Sequence, residues 1–264
     1  MPHAGVFGAS PFLPSLIQRD PRRLLRVLMA EPERLFADLV GELRAAVAAA
    51  PRSAEAMQVL RTFKTDVALL TALADLAGVW PVMTVTRVLS EAADAAVATA
   101  VRFLFRLAAD RGDWRPDDPS APEQGSGYIV IAMGKHGAFE LNYSSDIDLI
   151  VFYEAAVAAA RLKPGLEIQQ FFVRLTRELV RFLQERTADG YVFRTDLRLR
   201  PDPGSTPLAI STIAAETYYE SVGQNWERAA MIKARPVAGN IAVGDAFLRT
   251  LRPYVWRKHL DFAA

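Results

Sequence analysis

The 264-residue chain contains no cysteine, which excludes disulfides, thiolate zinc sites and a cysteine nucleophile. Histidine is nearly as scarce: His3, His136 and His259 stand far apart and give no metal-ligand spacing. An excess of either charge is missing too. Lys and Arg total 31 against 30 Asp and Glu, a formal net charge of +1. Binding to nucleic acid or another polyanion normally rests on a clear basic excess, so it is not expected. No apolar run approaches the ~18 residues of a membrane span. Met1 to Asp20 lacks the basic start and apolar block of a signal peptide. The expectation is a soluble cytoplasmic protein, with 51% hydrophobic residues to fill one large core or two smaller ones.

What is present in the first part is helix after helix. Leu60, Phe63, Val67, Leu70 and Ala74 recur at 3-4-3-4 spacing, which lines one face of a helix over Ser53 to Leu76. A second long helix is predicted from about Thr84 to Arg111, and shorter ones over Pro21 to Met29 and Glu31 to Ala50. Such stripes bury against one another as an antiparallel bundle. Residues 112–127, rich in Pro, Gly, Asp and Ser, have no periodicity and read as a linker or exposed loop. The expected division is therefore a helical domain over 1–111, a linker over 112–127 and a mixed domain over 128–264.

In the second part Tyr128 to Met133 is a β-branched, apolar strand, and Gly134-Lys135-His136-Gly137 a turn. Ser145 to Tyr153 is predicted as a strand, Pro164 to Thr187 as a helix and Tyr191 to Leu199 as a third strand. Helices follow near Thr212 to Ser221, Gln224 to Arg235 and Asp245 to Leu251. The chain stops at Asp261-Phe262-Ala263-Ala264 with no terminal cap or polar tail, which reads as truncation of a longer protein.

The chemistry concentrates in Ser144-Ser145-Asp146-Ile147-Asp148-Leu149-Ile150-Val151-Phe152. Side chains alternate across a strand, so Asp146 and Asp148 share one face with Cα atoms about 6.6 Å apart. Two carboxylates projecting from so apolar a strand repel each other, and a hard divalent cation with oxygen ligands offsets that. A solvated edge strand, where the repulsion is small, is the competing reading. In Val192 to Arg200 the same alternation puts Arg194, Asp196, Arg198 and Arg200 on one face, again with a plain charged surface ladder as the alternative. If the two strands are neighbours, Asp196 completes a three-carboxylate cluster. Arg198 and Arg200 then stand ready for phosphate oxygens. The glycine turn before them can present backbone N–H groups and Lys135 to a phosphate, although a simple tight turn fits equally.

Strand, glycine turn, Ser-Asp-x-Asp strand, helix and Asp-bearing strand in this order resemble the polymerase-beta-type nucleotidyltransferase fold. The run Gly134 to Leu149 resembles, more narrowly, the signature of the glutamine synthetase adenylyltransferase/adenylyl-removing family. Asp196-Leu197-Arg198-Leu199-Arg200-Pro201, Trp226-Glu227-Arg228 and Ile232-Lys233-Ala234-Arg235 fit the same family, as does the helical stretch Leu60 to Leu76. His136 departs from it, standing where leucine or methionine is usual. The resemblance implies an α+β fold, with an N-terminal helical bundle followed by a small mixed sheet with flanking helices. Family members carry two nucleotidyltransferase domains, one adenylylating a tyrosine of glutamine synthetase and one removing the AMP with inorganic phosphate to release ADP. A single acidic signature makes this chain similar to half of such a protein, and the Asn142-Tyr143-Ser144-Ser145-Asp146 wording, the preceding helices and the Trp226-Glu227-Arg228 and Ile232-Lys233-Ala234-Arg235 segment resemble the N-terminal, deadenylylating copy.

On that reading Asp146, Asp148 and Asp196 bind Mg²⁺ or Mn²⁺ and clamp the α-phosphoryl of a tyrosyl-AMP while phosphate attacks in line. Gly134, Lys135, Ser145, Arg198, Arg200 and Lys233 contact the nucleotide and phosphate. Lys233 and Arg235 are expected to share a helix with Arg228, with Arg235 solvated and Glu227 paired to an arginine. Partners implied are glutamine synthetase and the PII signalling protein, with neither nucleic acid nor membrane. Two alternatives stay open: ATP-dependent adenylyl transfer to glutamine synthetase or another acceptor by the same displacement, and a non-enzymatic regulator-binding module.

Overall fold

Proline placement and apolar spacing account for the helical first half of the computed structural model, which describes residues 12–256. The helices are α1 (Phe12–Arg19), α2 (Pro21–Met29), α3 (Pro32–Ala49), α4 (Ser53–Leu76) and α5 (Val82–Asp110). Pro21 opens α2, and the Asp20 side chain accepts from the Arg22 N–H at 3.2 Å, a side-chain N-cap. Leu35, Leu39, Leu43 and Val47 form the buried row of α3. In α4 Leu60, Phe63, Val67, Leu70 and Ala74 are all buried, as their spacing predicts. Helix α5 runs through the middle of the core, and its buried Ala92, Ala93, Ala96 and Ala100 let neighbouring elements approach closely. His3, His259 and the Asp261–Ala264 end lie outside the described residues.

The second half is β1 (Tyr128–Ala132), α6 (Gly134–Gly137), β2 (Ile147–Tyr153), α7 (Ala155–Ala159), α8 (Ile168–Gln184), β3 (Thr195–Asp196) and β4 (Ala209–Ser211). It continues with α9 (Thr212–Ser221), α10 (Asn225–Met231), β5 (Arg235–Gly239), α11 (Ile241–Thr250) and α12 (Arg252–Val255). The sheet order is β3-β2-β1-β5, and β4 also pairs with β2. β1 runs antiparallel to β2 and β5, whereas β3 and β4 run parallel to β2. This is an α+β fold with a small mixed sheet.

Period-two alternation divides the sheet between two cores. Val130, Ala132, Leu149 and Val151 pack with α3, α4, α5 and α8. Ile129, Ile131, Ile150 and Phe152 pack with Ala215, Tyr219, Phe247 and Leu251 from α9 and α11 to α12. The first core therefore continues from the helices into the sheet without a break. Residues 112–127 form no helix or extended strand, yet Trp114 is buried, with its ring stacked on Phe171 and its Nε1–H donated to the Pro122 carbonyl at 3.0 Å.

Several boundaries differ from the expected ones. β2 starts at Ile147 rather than Ser145. The third strand, expected over Tyr191 to Leu199, shrinks to Thr195–Asp196. Val192 and Phe193 give their N–H groups to the Leu183 carbonyl at the end of α8 instead of to a ladder. The glycine turn is one turn of helix. The helix expected over Gln224 to Arg235 stops at Met231, and Arg235 begins β5, paired with Ala132. Lys233 and Arg235 therefore do not share a helix with Arg228. Among the described residues Glu227 pairs with no arginine either; it closes a capping box by accepting from the Gln224 N–H at 2.7 Å and also accepts from the Tyr218 hydroxyl at 3.2 Å. No helix among the described residues is long and apolar enough to cross a membrane.

Phe172 sits where α8 meets the sheet, its ring 5.4 Å from Tyr128 and 5.0 Å from Tyr153. Phe172→Ala should destabilise the fold by about 3–5 kcal/mol, read from urea unfolding midpoints; a loss under 1 kcal/mol would mean that α8 does not share this core.

Candidate active site

The site is built where β2 begins. Parallel pairing of β2 with β3 places Ile147 opposite Thr195 and Asp148 opposite Asp196. Adjacent strands lie about 4.8 Å apart, so the two aspartates stand side by side, with Asp146 one residue before the strand. The buried neighbours Ile147 and Leu149 hold this register. On the other flank α6 closes in. The Met133 N–H donates to the Asp148 carbonyl at 2.9 Å. Gly134 adopts φ +54°, and a Cβ there would lie 2.9 Å from Asp148 Oδ2, so both its conformation and its lack of a side chain are needed. At Gly137 a Cβ would meet the Lys233 carbonyl at 1.9 Å.

Electrostatics separate the three acids. Burial, and then the charges of Asp196 and Asp146, push the Asp148 carboxyl above the usual range. Asp196 shifts the opposite way: the Arg198 guanidinium, at 2.5 to 3.0 Å, holds it below the usual value. Asp146 accepts from Arg194 Nε at 2.5 Å, and Arg194 also donates to the Ser144 carbonyl at 2.9 Å. Among the described residues no group of three or more acidic or imidazole side chains is gathered at metal-ligand spacing; two of the three carboxylates are held by guanidinium groups instead.

The other expected contact residues fall in two classes. Lys135 is exposed on α6 beside the acids, with no side-chain partner among the described residues. Ser145 closes the turn before β2, donating to Asn142 Oδ1 at 2.7 Å. Arg198 is exposed and spans Asp196. Arg200 remains within Coulomb range of Asp196, but it donates to the carbonyls of Leu197, Pro203 and Thr206 and so staples the 197–206 loop. Lys233 pairs with Glu140 at 2.7 Å.

Sequence reasoning missed a buried latch. Arg235 is not solvated. It donates to Asp94 on α5 at 2.7 and 3.1 Å and to the carbonyls of His136 and Gly137, and its guanidinium lies 3.8 Å over the Phe139 ring. The wholly buried His136 gives its Nε2–H to the same Asp94 at 2.8 Å. One carboxylate on the long helix thus fixes the glycine turn and β5 together. The only trace in the sequence is an acid amid the alanines of an inward-facing stripe. Arg194 as the partner of Asp146 was also missed, because the pairing depends on a loop rather than on strand alternation.

Comparison with known proteins adds to this geometry. A family model described as glutamate-ammonia ligase adenylyltransferase matches residues 3–250. The chain is 59% identical over 256 residues to the bifunctional glutamine synthetase adenylyltransferase/adenylyl-removing enzyme of Rhodopseudomonas palustris (strain TIE-1), covering 97% of this chain and 26% of the relative. It is 56% identical over 260 residues to the protein of the same description from Bradyrhizobium diazoefficiens, and 53% identical over 260 residues to that of Xanthobacter autotrophicus. The chain spans about a quarter of the length of these curated relatives.

Two outcomes follow from the geometry. A carboxyl whose folded-state pKa is raised destabilises the fold when charged; that penalty is full above the folded pKa and gone below the unfolded value. Asp148→Asn should therefore be more stable than the parent at neutral pH in chelator, and the difference should close as acidification protonates Asp148; a constant difference in melting temperature from pH 7 to 4 refutes this. Asp94→Ala, which strips His136 and Arg235 of their shared carboxylate, should cost about 1.5–3 kcal/mol in urea unfolding.

Proposed function

The chain belongs to the glutamate-ammonia ligase adenylyltransferase family, and from that premise we propose that it carries a polymerase-beta-type nucleotidyltransferase site that removes AMP from a tyrosine of adenylylated glutamine synthetase. Inorganic phosphate is the nucleophile and ADP the product. The observation that carries this reading is the in-register parallel pairing of Asp148 with Asp196, with Asp146 at the entry to the same strand and α6 pressed against Asp148.

In donor type, though not in the present spacing, the carboxylates suit a hard divalent cation. The set consists of three carboxylates, one of which is left with its charge resisted by the other two. The arginines now on Asp146 and Asp196 are more than half exposed. Exposed pairs of this kind are worth about 0–1 kcal/mol, so exchanging them for a cation costs little. Asp146, Asp148 and Asp196 would hold Mg²⁺ or Mn²⁺, which supplies Lewis-acid stabilisation of phosphoryl oxygens. The remaining work falls to the chain itself. The exposed Lys135 ammonium meets phosphate oxygens, and Arg194 and Arg198, once released by their carboxylates, neutralise the two phosphoryl groups. Gly134 allows the backbone to approach without a side chain in the way. Arg200 and Lys233 keep structural roles, as staple and ion pair, in place of the phosphate contacts first expected of them.

Removal rather than transfer is favoured by the resemblance of the Asn142-Tyr143-Ser144-Ser145-Asp146 wording to the deadenylylating copy; the displacement at phosphorus is the same in both directions. Within the longer protein such a unit regulates glutamine synthetase in nitrogen metabolism, with the PII signalling protein as a further partner. Supplying phosphate with adenylylated glutamine synthetase should yield ADP, and Asp148→Ala should lower that rate by orders of magnitude with the melting temperature preserved. ATP consumption with unmodified glutamine synthetase, and no ADP from the modified form, would reverse the assignment.

A further inference from the structure

An open cavity of about 720 Å³ lies on the helical side of the acid cluster, bounded by α1, α4, the Tyr143–Ser145 turn and the 186–194 segment. It is not the carboxylate site itself, since Asp146, Asp148 and Asp196 do not line it. Its charged lining is mainly cationic: Arg19, Lys64, Arg186 and Arg194 against Asp75 and Asp189. Asp75, on α4, is already engaged by the Tyr143 hydroxyl, which donates to it at 2.8 Å. Asp189 is exposed.

Lys64 is the anomaly. It projects from α4 with Nζ 4.4 Å from the centre of the Phe193 ring. No carboxylate or hydrogen-bond acceptor meets it among the described residues. Lys64 is partly buried, and desolvation without a counter-ion pushes its ammonium down to about 8. The ring face offsets part of that penalty. The other lysine drawn into a contact, Lys233, has its glutamate; Lys64 has only space beside it. Arg194 lines the same cavity, and its Nε reaches Asp146 at 2.5 Å.

We propose that this cavity is a binding site for a small oxyanion, a phosphate or a carboxylate, held between Lys64 and Arg194. The anion supplies the counter-charge that the chain withholds from Lys64. The walls Leu13, Leu16, Ala68 and Phe193 leave room for an apolar body attached to it. The site shares Arg194 with the reaction proposed above, but its occupancy is read at Lys64, which that reaction does not use, and is measurable without turnover.

The experiment is competitive labelling of Lys64 with trinitrobenzenesulfonate on the 264-residue chain, followed by peptide mass spectrometry, in chloride and in inorganic phosphate, AMP or acetate at equal ionic strength. In chloride, labelling of Lys64 should rise with a midpoint near pH 8. A bound oxyanion raises that midpoint and should slow labelling at pH 7 about tenfold. Protection by phosphate or AMP identifies the phosphate source; protection by acetate alone identifies the carboxylate source. Equal labelling in all four solutions overturns the proposal. Lys64→Met should weaken calorimetric binding of the protecting anion at least tenfold while Lys64→Arg retains it, and undiminished binding by the methionine variant also overturns it. Protection of Lys64 in a chain that produces no ADP refutes the proposed reaction and leaves this site standing.

Discussion

Two carboxylates set side by side across a parallel ladder are the constraint around which the second half of the chain is arranged. Like charges about 5 Å apart repel by roughly 3 kcal/mol at an effective dielectric near 20. The register that creates this repulsion is held by apolar burial. Ile147 and Leu149 flank Asp148 and are fully covered, and each such side chain contributes about 1.5–3 kcal/mol. Burial therefore outweighs repulsion, and the remaining strain is handled locally. Arg198 neutralises Asp196, Arg194 neutralises Asp146, and Asp148 responds by holding its proton more tightly. The cluster thus has two acids paired with exposed guanidinium groups and one acid without a counter-ion.

The helical half does more than fill space beneath the sheet. Asp94 projects from the middle of α5 and binds Arg235 at the start of β5 and His136 in α6. The turn that presses Gly134 against Asp148 is thereby tied to the longest helix in the described structure. Phe105, Trp114, Tyr128, Phe171 and Phe172 join α5 to the 112–127 segment, β1 and α8 within ring distances of 5.3 to 6.4 Å. Both links cross from the helices to the sheet.

How far each feature is legible in the sequence follows the range of the interaction involved. The long helices are legible because their stripes repeat over many turns, and β1 and β2 because continuous apolar runs mark strands covered on both faces. The pairing of Asp148 with Asp196 is foreseeable only as a condition, that two strands be neighbours, and the ladder supplies it. Short elements are not legible. β3 is two residues long, β4 three, and Arg235 to Gly239 carries a proline and a glycine that obscure its strand character. The fates of the arginines are hidden for a related reason. Alternation assigns Arg194, Arg198 and Arg200 to one face, but the chain leaves the strand after Asp196, and each guanidinium finds the nearest acceptor: a carboxylate, a carboxylate, and three loop carbonyls.

Arg194 connects the acid cluster to the cavity beside it. Its side chain is shared between Asp146, the Ser144 carbonyl and the wall of the cavity that holds Lys64. An oxyanion seated there competes with Asp146 for one guanidinium, and because the pair is half exposed the exchange is small in energy. On the readings proposed above, releasing Asp146 would favour a cation among the acids, and a cation that took up Asp146 would free Arg194 for the anion. Each event lowers the cost of the other, as linkage requires of two ligands acting on one equilibrium. The Tyr143-Ser144-Ser145-Asp146 stretch is then the physical connection between the two sites, with its first three residues on the cavity and its fourth at the acids.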